Sequence, residues 1–408
     1  MTLNTGDRFG SKDQNYPEAI CAGHICLDLI PTLLDSNFQF SPGKLVEAGA
    51  VVTSTGGSVS NTGICLSRLG IRSRLLGKVG DDLFAAAVRR ILDNYGDGLS
   101  EGLIVSPQEQ TSYSIILSPP GTDRMFLHAP GCNATFNEDD IDYSQLHFSR
   151  LFHFGYPPLM ERTFAHDGKT LEAIFQRAKS TGITTSLDMS FPDMNGPAGK
   201  ADWSAILTRT LPFVDIFTPS IEEILLLLKP DIYRSTMMTV EAGALDNIIT
   251  PKILETLGSE LLDLGVKIVV IKLGDRGLYL RTAAENQLSK LGIAGAQNCS
   301  GWADRELWAP CFAVDVVGAT GSGDATIAGF LMGLLRNMPV ENCMTSACAV
   351  GASCVEAADS LSGVRTWQET SERITAGWPR RKFPIDERGW GWMETEAVWR
   401  GPNDQRSA

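Results

Sequence analysis

Apolar positions along this chain follow two alternating rhythms. Short β-branched runs, "AICAGHICLDLIP" near the start and then "SRLLGKVG", "RLFHFGY", "TTSLDMS", "VDIFTPS" and "KIVVIKLG", read as buried strands ending at polar or glycine positions. Between them, "DLFAAAVRRILDNY", "TLEAIFQRAKSTG", "EEILLLLK", "ILETLGSELLDLG" and "DATIAGFLMGLLRN" place apolar residues three and four apart, the spacing of one helix face. Strands alternating with helices of this length predict a doubly wound α/β fold with a mostly parallel sheet flanked by helices. Ligands in such sheets sit beyond the carboxyl ends of the strands. That rule points to Asp28, Asp188, Glu223 and a glycine loop before residue 324, all of which follow strand-like runs.

Two segments break the alternation. "DSNFQFSPGKLVEAG" and "QEQTSYSIILSPPGTDRMFLHAPGC" read as extended pieces with Pro-Gly turns, predicting a small β-flap over about 33–52 and 110–130 that would act as a lid. Residues 1–20 form a polar N-terminal tail and 21–368 one α/β domain. Residues 369–408, with four of the eight tryptophans, predict a strap packed on that domain.

Composition narrows the function classes. With 408 residues and 43% hydrophobic content the chain can bury a sizeable core. Its net charge of −13, from 35 basic against 48 acidic residues, repels nucleic acid and anionic membranes, and no basic patch offsets it. Nine scattered cysteines without a C-x-x-C pair predict reduced thiols. The polar start and the lack of any apolar run of 18 residues predict a cytoplasmic protein. His24, His128, His147, His153 and His166 form no metal-binding spacing, and His153 reads as a strand-end packing residue, so no metal is assigned to protein ligands alone.

The loop "GATGSGDATIAGF" (318–330) resembles a phosphate cradle, except that Asp324 stands where a P-loop has lysine. Backbone N–H groups of Gly321, Ser322 and Gly323, with the positive end of the following helix, can bind an anion without any lysine. Asp324, with an ordinary carboxylate pKa of about 3.9, would be ionised and able to take a proton. Donors for a moving phosphoryl group beside a base for the attacking alcohol are what phosphoryl transfer to a hydroxyl requires. Asp324 could instead cap the helix, and a dinucleotide loop is a rival that the late position of the motif weakens.

Together with "GGSVSNTGICLSRLG" (56–70), the loop resembles the two signatures of the ribokinase-like carbohydrate kinases, the pfkB family, in order and separation. The resemblance spans roughly residues 20–368 and includes "GKVGDD", "PGCN" and "VVIKLGDRG". It implies an ATP-dependent kinase that moves the γ-phosphoryl group to a sugar hydroxyl, with Mg²⁺ brought by the nucleotide. It implies Asp324 as base, Gly321, Ser322 and Gly323 as anion hole, and Asp28, Gly56, Gly57, Asn61 and Asn133 at the sugar. Ser220, Lys272, Gly274 and Gly277 would meet the nucleotide, and Glu223 would support magnesium. Read without the resemblance, Asp28 could end a strand, Gly57 supply a positive φ, Asn61 cap a helix, Gly274 and Gly277 shape a hairpin, and Glu223 sit on a helix surface.

The chain departs from the family at three points. Ser220 replaces the usual Asn of the N-x-x-E element, and Lys272 stands where Thr or Ser is common. Gly318 stands where many members carry an Asp linked to a monovalent cation, with Asp315 offset by three, which puts potassium activation in doubt. The resemblance leaves a nucleoside kinase or a non-catalytic sugar or nucleotide sensor as alternatives. Apolar residues in "FQFSPGKLVEAGAVV" would favour a flap that clasps a second copy in a homodimer.

Overall fold

The computed structural model describes residues 16–34, 42–118, 125–238, 249–294, 299–381 and 383–405. Much of the expected tail, and the flap segments 35–41 and 119–124, lie outside the described residues.

Strand β1 (Ala19–Gly23) is an apolar run buried on both faces, as expected for the middle of a parallel sheet. It pairs in parallel with β4 (Ser73–Leu76) on one side and with β9 (Leu151–Gly155) on the other. The parallel order continues through β10 (Thr184–Asp188), β11 (Ile216–Phe217) and β12 (Ile268–Lys272). Beyond β12 the sheet turns antiparallel through β13 (Leu278–Thr282), β14 (Glu306–Ala309), β16 (Val398–Arg400) and β15 (Gly391–Met393), completing ten strands. Helices cover both faces, and α6 (Ser322–Leu335) and α7 (Val340–Cys354) are buried almost all round. Gly329 lets them cross closely, since a Cβ there would lie 2.8 Å from the Ser346 carbonyl. No helix among the described residues is long and apolar enough to cross a membrane.

The flap is a separate sheet in the order β3-β2-β7-β8, built from β2 (Cys26–Leu33), β3 (Ala48–Gly56), β7 (Tyr113–Leu117) and β8 (Met125–Ala129). Two details differ from the sequence reading. "SRLLGKVG" is two strands: at Gly77 the chain leaves the main sheet, and β5 (Lys78–Gly80) pairs with β6 (Ile104–Ser106). Residues 391–400 do not lie over the domain as a strap, because the free edge of β14 takes them up as two further strands. Arg305, buried between Glu341 at 2.7 Å and Asp404 at 2.8 Å, ties this C-terminal segment to the core.

Candidate active site

The parallel strands end on one side of the sheet, and their ends supply the site. His24 follows β1, Tyr156 follows β9, Asp188 closes β10 and Lys272 closes β12, with Ser220 bridged to Lys272. Facing them is the start of α6. Its cap residue Gly321 has φ 73°, in the left-handed region that favours glycine, and a Cβ there would overlap Ser360.

Asp324 lies in the first turn of α6 and does not cap it, since no side chain makes that bond. Its carboxylate turns toward α1 (Ser58–Arg68) and the sheet, accepting from Asn61 Nδ2 at 2.9 Å, Thr62 Oγ1 at 3.3 Å and the Tyr156 hydroxyl at 2.7 Å. Only 2% of the residue is exposed. The expectation of an ordinary pKa is therefore corrected. Burial raises it above the usual carboxylate range, against the opposing pull of Asn61, Tyr156, Lys272 and Thr62.

Lys272 Nζ pairs with Asp188 Oδ1 at 2.7 Å, and both side chains are largely buried. A Cβ at Gly323 would lie 3.6 Å from that ammonium, so the cation stands beside the first turn of α6. Burial alone would lower the Lys272 pKa, but Asp188, Glu223 and Asp324 outweigh it and raise it, keeping the group charged. The second Asp188 oxygen, Oδ2, is buried and has no hydrogen-bond partner among the described residues.

Lys272 borders a cleft of about 420 Å³ that is also lined by Tyr156, Ser220, Glu223, Gly274, Gly277, Ser322 and Gly323 among others. Ser220 and Glu223 form a capping box on α4 (Ile221–Leu228): Ser220 Oγ accepts from the Glu223 N–H, and Glu223 Oε2 accepts from the Ser220 N–H at 2.6 Å. Glu223 therefore faces the cleft with one oxygen committed. Gly274, at φ 58°, has open space where a side chain would stand, whereas a Cβ at Gly277 would overlap the Ala309 carbonyl, so Gly277 serves the turn.

The flap brings the other half. Strand pairing sets Ser54, Asp28, Ser114 and His128 in one row on one face. Asp28 is therefore not the end of the first strand but an inner residue of β2, because the chain crosses into the flap at residues 24–25. Its carboxyl is pushed up to about 6 by burial, against hydrogen bonds from Cys26 and Ser114. Gly56 must lack a side chain, since a Cβ there would overlap this carboxylate. Gly57, at φ 89°, likewise leaves room for His24.

Two residues expected at the sugar have partners within the protein. Asn61 uses its amide on Asp324 and on the Ser360 hydroxyl, 3.1 Å away, so it anchors the carboxylate. Asn133 accepts from the Ile25 N–H and donates to the Ile25 carbonyl, so it pins the crossing into the flap. Three residues escaped the sequence reading. Tyr156 carried no motif. His24 and His128 meet with Nε2 atoms 3.3 Å apart although no local spacing links them, and burial lowers both pKa values, holding the rings neutral. Pairing of β7 with β8 sets His128 opposite Ser114, but His24 lies between β1 and β2, so no single pairing joins the two rings. Gly318 packs against the Ala357 and Ala358 carbonyls, and Asp315 is exposed.

Comparison with known proteins identifies the family and the fold. Residues 17–367 match the family described as pfkB family carbohydrate kinase. The chain is 25% identical over 299 residues to an uncharacterized sugar kinase of Archaeoglobus fulgidus, covering 73% of this chain and 97% of that one. It is 23% identical over 321 residues to fructokinase-2 of Zea mays, covering 77% and 79%. Its fold matches Arabidopsis thaliana ribokinase complexed with ribose and ATP with a TM-score of 0.66 at 18% identity, covering 88% and 98%. With its glycine-loop carboxylate, its flap and a match that takes in most of its length, the chain belongs to the pfkB family of carbohydrate kinases.

Proposed function

We propose that this protein is an ATP-dependent sugar kinase whose base is Asp324. One observation carries the reading: the base and the anion-binding backbone occupy consecutive residues at one helix start, between a cleft that suits a nucleotide and a flap that presents Asp28. The sugar hydroxyl gives its proton to Asp324 as its oxygen bonds the γ-phosphorus, and the bond to the departing ADP breaks. N–H groups at the start of α6 and the Lys272 ammonium spread the charge of the moving phosphoryl group. Asp28 and the flap row hold the sugar. Asp188 Oδ2, lacking a partner, and Glu223 fit a hydrated Mg²⁺ carried by the nucleotide, and such an ion would neutralise phosphate charge. Incubation with ATP and a panel of sugars, nucleosides and sugar acids, followed by detection of the phosphorylated product, tests the reading. Transfer to a sugar supports it, and ATP consumption with none of them would remove it.

The raised pKa of Asp324 has a kinetic sign. The base works only when ionised, so kcat/KM should fall as pH drops through its pKa, with an acid limb above the ordinary carboxylate range. A flat profile down to pH of about 4 would contradict this assignment. Val51, Val52, Met125, Phe126 and Leu127 leave apolar surface exposed on the flap, which fits a second copy of the chain. Sedimentation velocity should then show a dimer that charged substitutions at these positions dissociate.

A further inference from the structure

Tyr156 is held in an unusual way. Its backbone, at φ 67° and ψ 44°, lies in the left-handed region that bulky residues avoid, and such conformations persist where surrounding structure imposes them. The result is an aimed phenol. The ring borders the nucleotide-side cleft, its centroid is 6.2 Å from that of His24 below the flap, and its hydroxyl donates to Asp324 Oδ2 at 2.7 Å. Burial keeps the phenol protonated, and so a donor, by raising its pKa well above 10.

Counting lone pairs shows what that bond excludes. Oδ2 accepts from both Asn61 and Tyr156, which fills its two positions, while Oδ1 accepts from Thr62 on α1 and keeps its second position. Asn61 and Thr62 are fixed on α1, and Asn61 is braced further by Ser360. Tyr156 is the donor that comes from the strand-end turn bordering the cleft. An alcohol that is to lose its proton must itself donate to this carboxylate, and on Oδ2, the oxygen that Tyr156 reaches from the turn bordering the cleft, the position it can take over is the one the phenol holds.

We propose that the Tyr156 hydroxyl is a placeholder on Asp324 Oδ2, occupying the acceptor's position until a sugar hydroxyl displaces it and thereby denying that position to water. This rests on Asp324 being the base. Without the phenol, water donates to Oδ2 instead. Its oxygen bonds the γ-phosphorus, the bond from that phosphorus to the bridging oxygen of ADP breaks, and the water's proton passes to Asp324, so ATP is hydrolysed. Tyr156 thus contributes to the choice between sugar and water as acceptor.

Tyr156→Phe tests this because it keeps the ring and removes only the hydroxyl. Phosphate release without sugar, divided by sugar phosphate formed with sugar, should rise about tenfold or more, the scale set by losing one hydrogen bond to a charged group. The ratio is insensitive to the fraction folded, so a merely structural role would lower both rates and leave it unchanged. Tyr156→Phe combined with Asp324→Asn should return acceptor-free hydrolysis to the level of the parent. An unchanged or smaller ratio in the single variant, or hydrolysis that survives in the double variant, would overturn the proposal. A parent protein that phosphorylates no sugar would instead sink the kinase assignment.

Discussion

Asp324→Asn should lower kcat by about 10²-fold or more, the range for removing a positioned general base, while the protein still folds. The substitution preserves size, and Asn61, Thr62 and Tyr156 still surround the side chain. Its effect on stability follows from the direction of the pKa shift. A carboxyl whose pKa is raised on folding contributes stability that is fully present below its unfolded pKa and is lost as pH rises through the folded value. Above its unfolded pKa the carboxyl therefore counts against the folded state, and its removal should leave the melting temperature at neutral pH unchanged or higher. Steady-state kinetics and a thermal melt at pH 7 check both halves. Near-normal turnover would remove Asp324 as base, and a collapse of the melt would make its role structural.

Lys272→Met should damage the protein in two separable ways. The substitution leaves Asp188 as a buried carboxylate without its 2.7 Å partner, and breaking one side of a buried pair costs about 3–5 kcal/mol. The variant also loses the cation beside the first turn of α6, where the transferred phosphoryl group would pass. Adding Asp188→Asn separates the two effects. Replacing both charges removes the stranded carboxylate, so the double variant should regain most of the lost stability in a denaturant melt. Its turnover should stay low, because no cation has returned. Recovery of activity along with stability would show that the pair is only structural.

How far the sequence could be read depended on the kind of interaction. Strands β9, β10 and β12 and the helices at 83–95 and 322–335 were legible because burial writes itself locally, as apolar runs and as apolar spacings of three and four. The glycine loop was legible for the same reason, since a left-handed cap and a helix start are local events. Asp28 was singled out, but its strand was misplaced. Nothing within the run "AICAGHICLDLIP" marks the two residues at which the chain leaves one sheet for another, because both sheets ask for apolar residues there. The last strands were missed because a hydrophobic pattern does not say which edge will accept a pairing partner.

By itself the sequence determined the layered α/β architecture, the acidic net charge, and the adjacency of a carboxylate to the glycine-rich backbone of a helix start, all of which depend on neighbouring residues or on totals. Only the tertiary structure decided what that carboxylate touches. Asn61 and Tyr156 reach Asp324 from 263 and 168 positions away, and Lys272 reaches Asp188 across 84. Such contacts come from strand order and register, which the whole chain sets together. They also decide the chemistry, because the proton affinity of a buried acid depends on the donors and charges within a few ångströms and not on its neighbours in the chain.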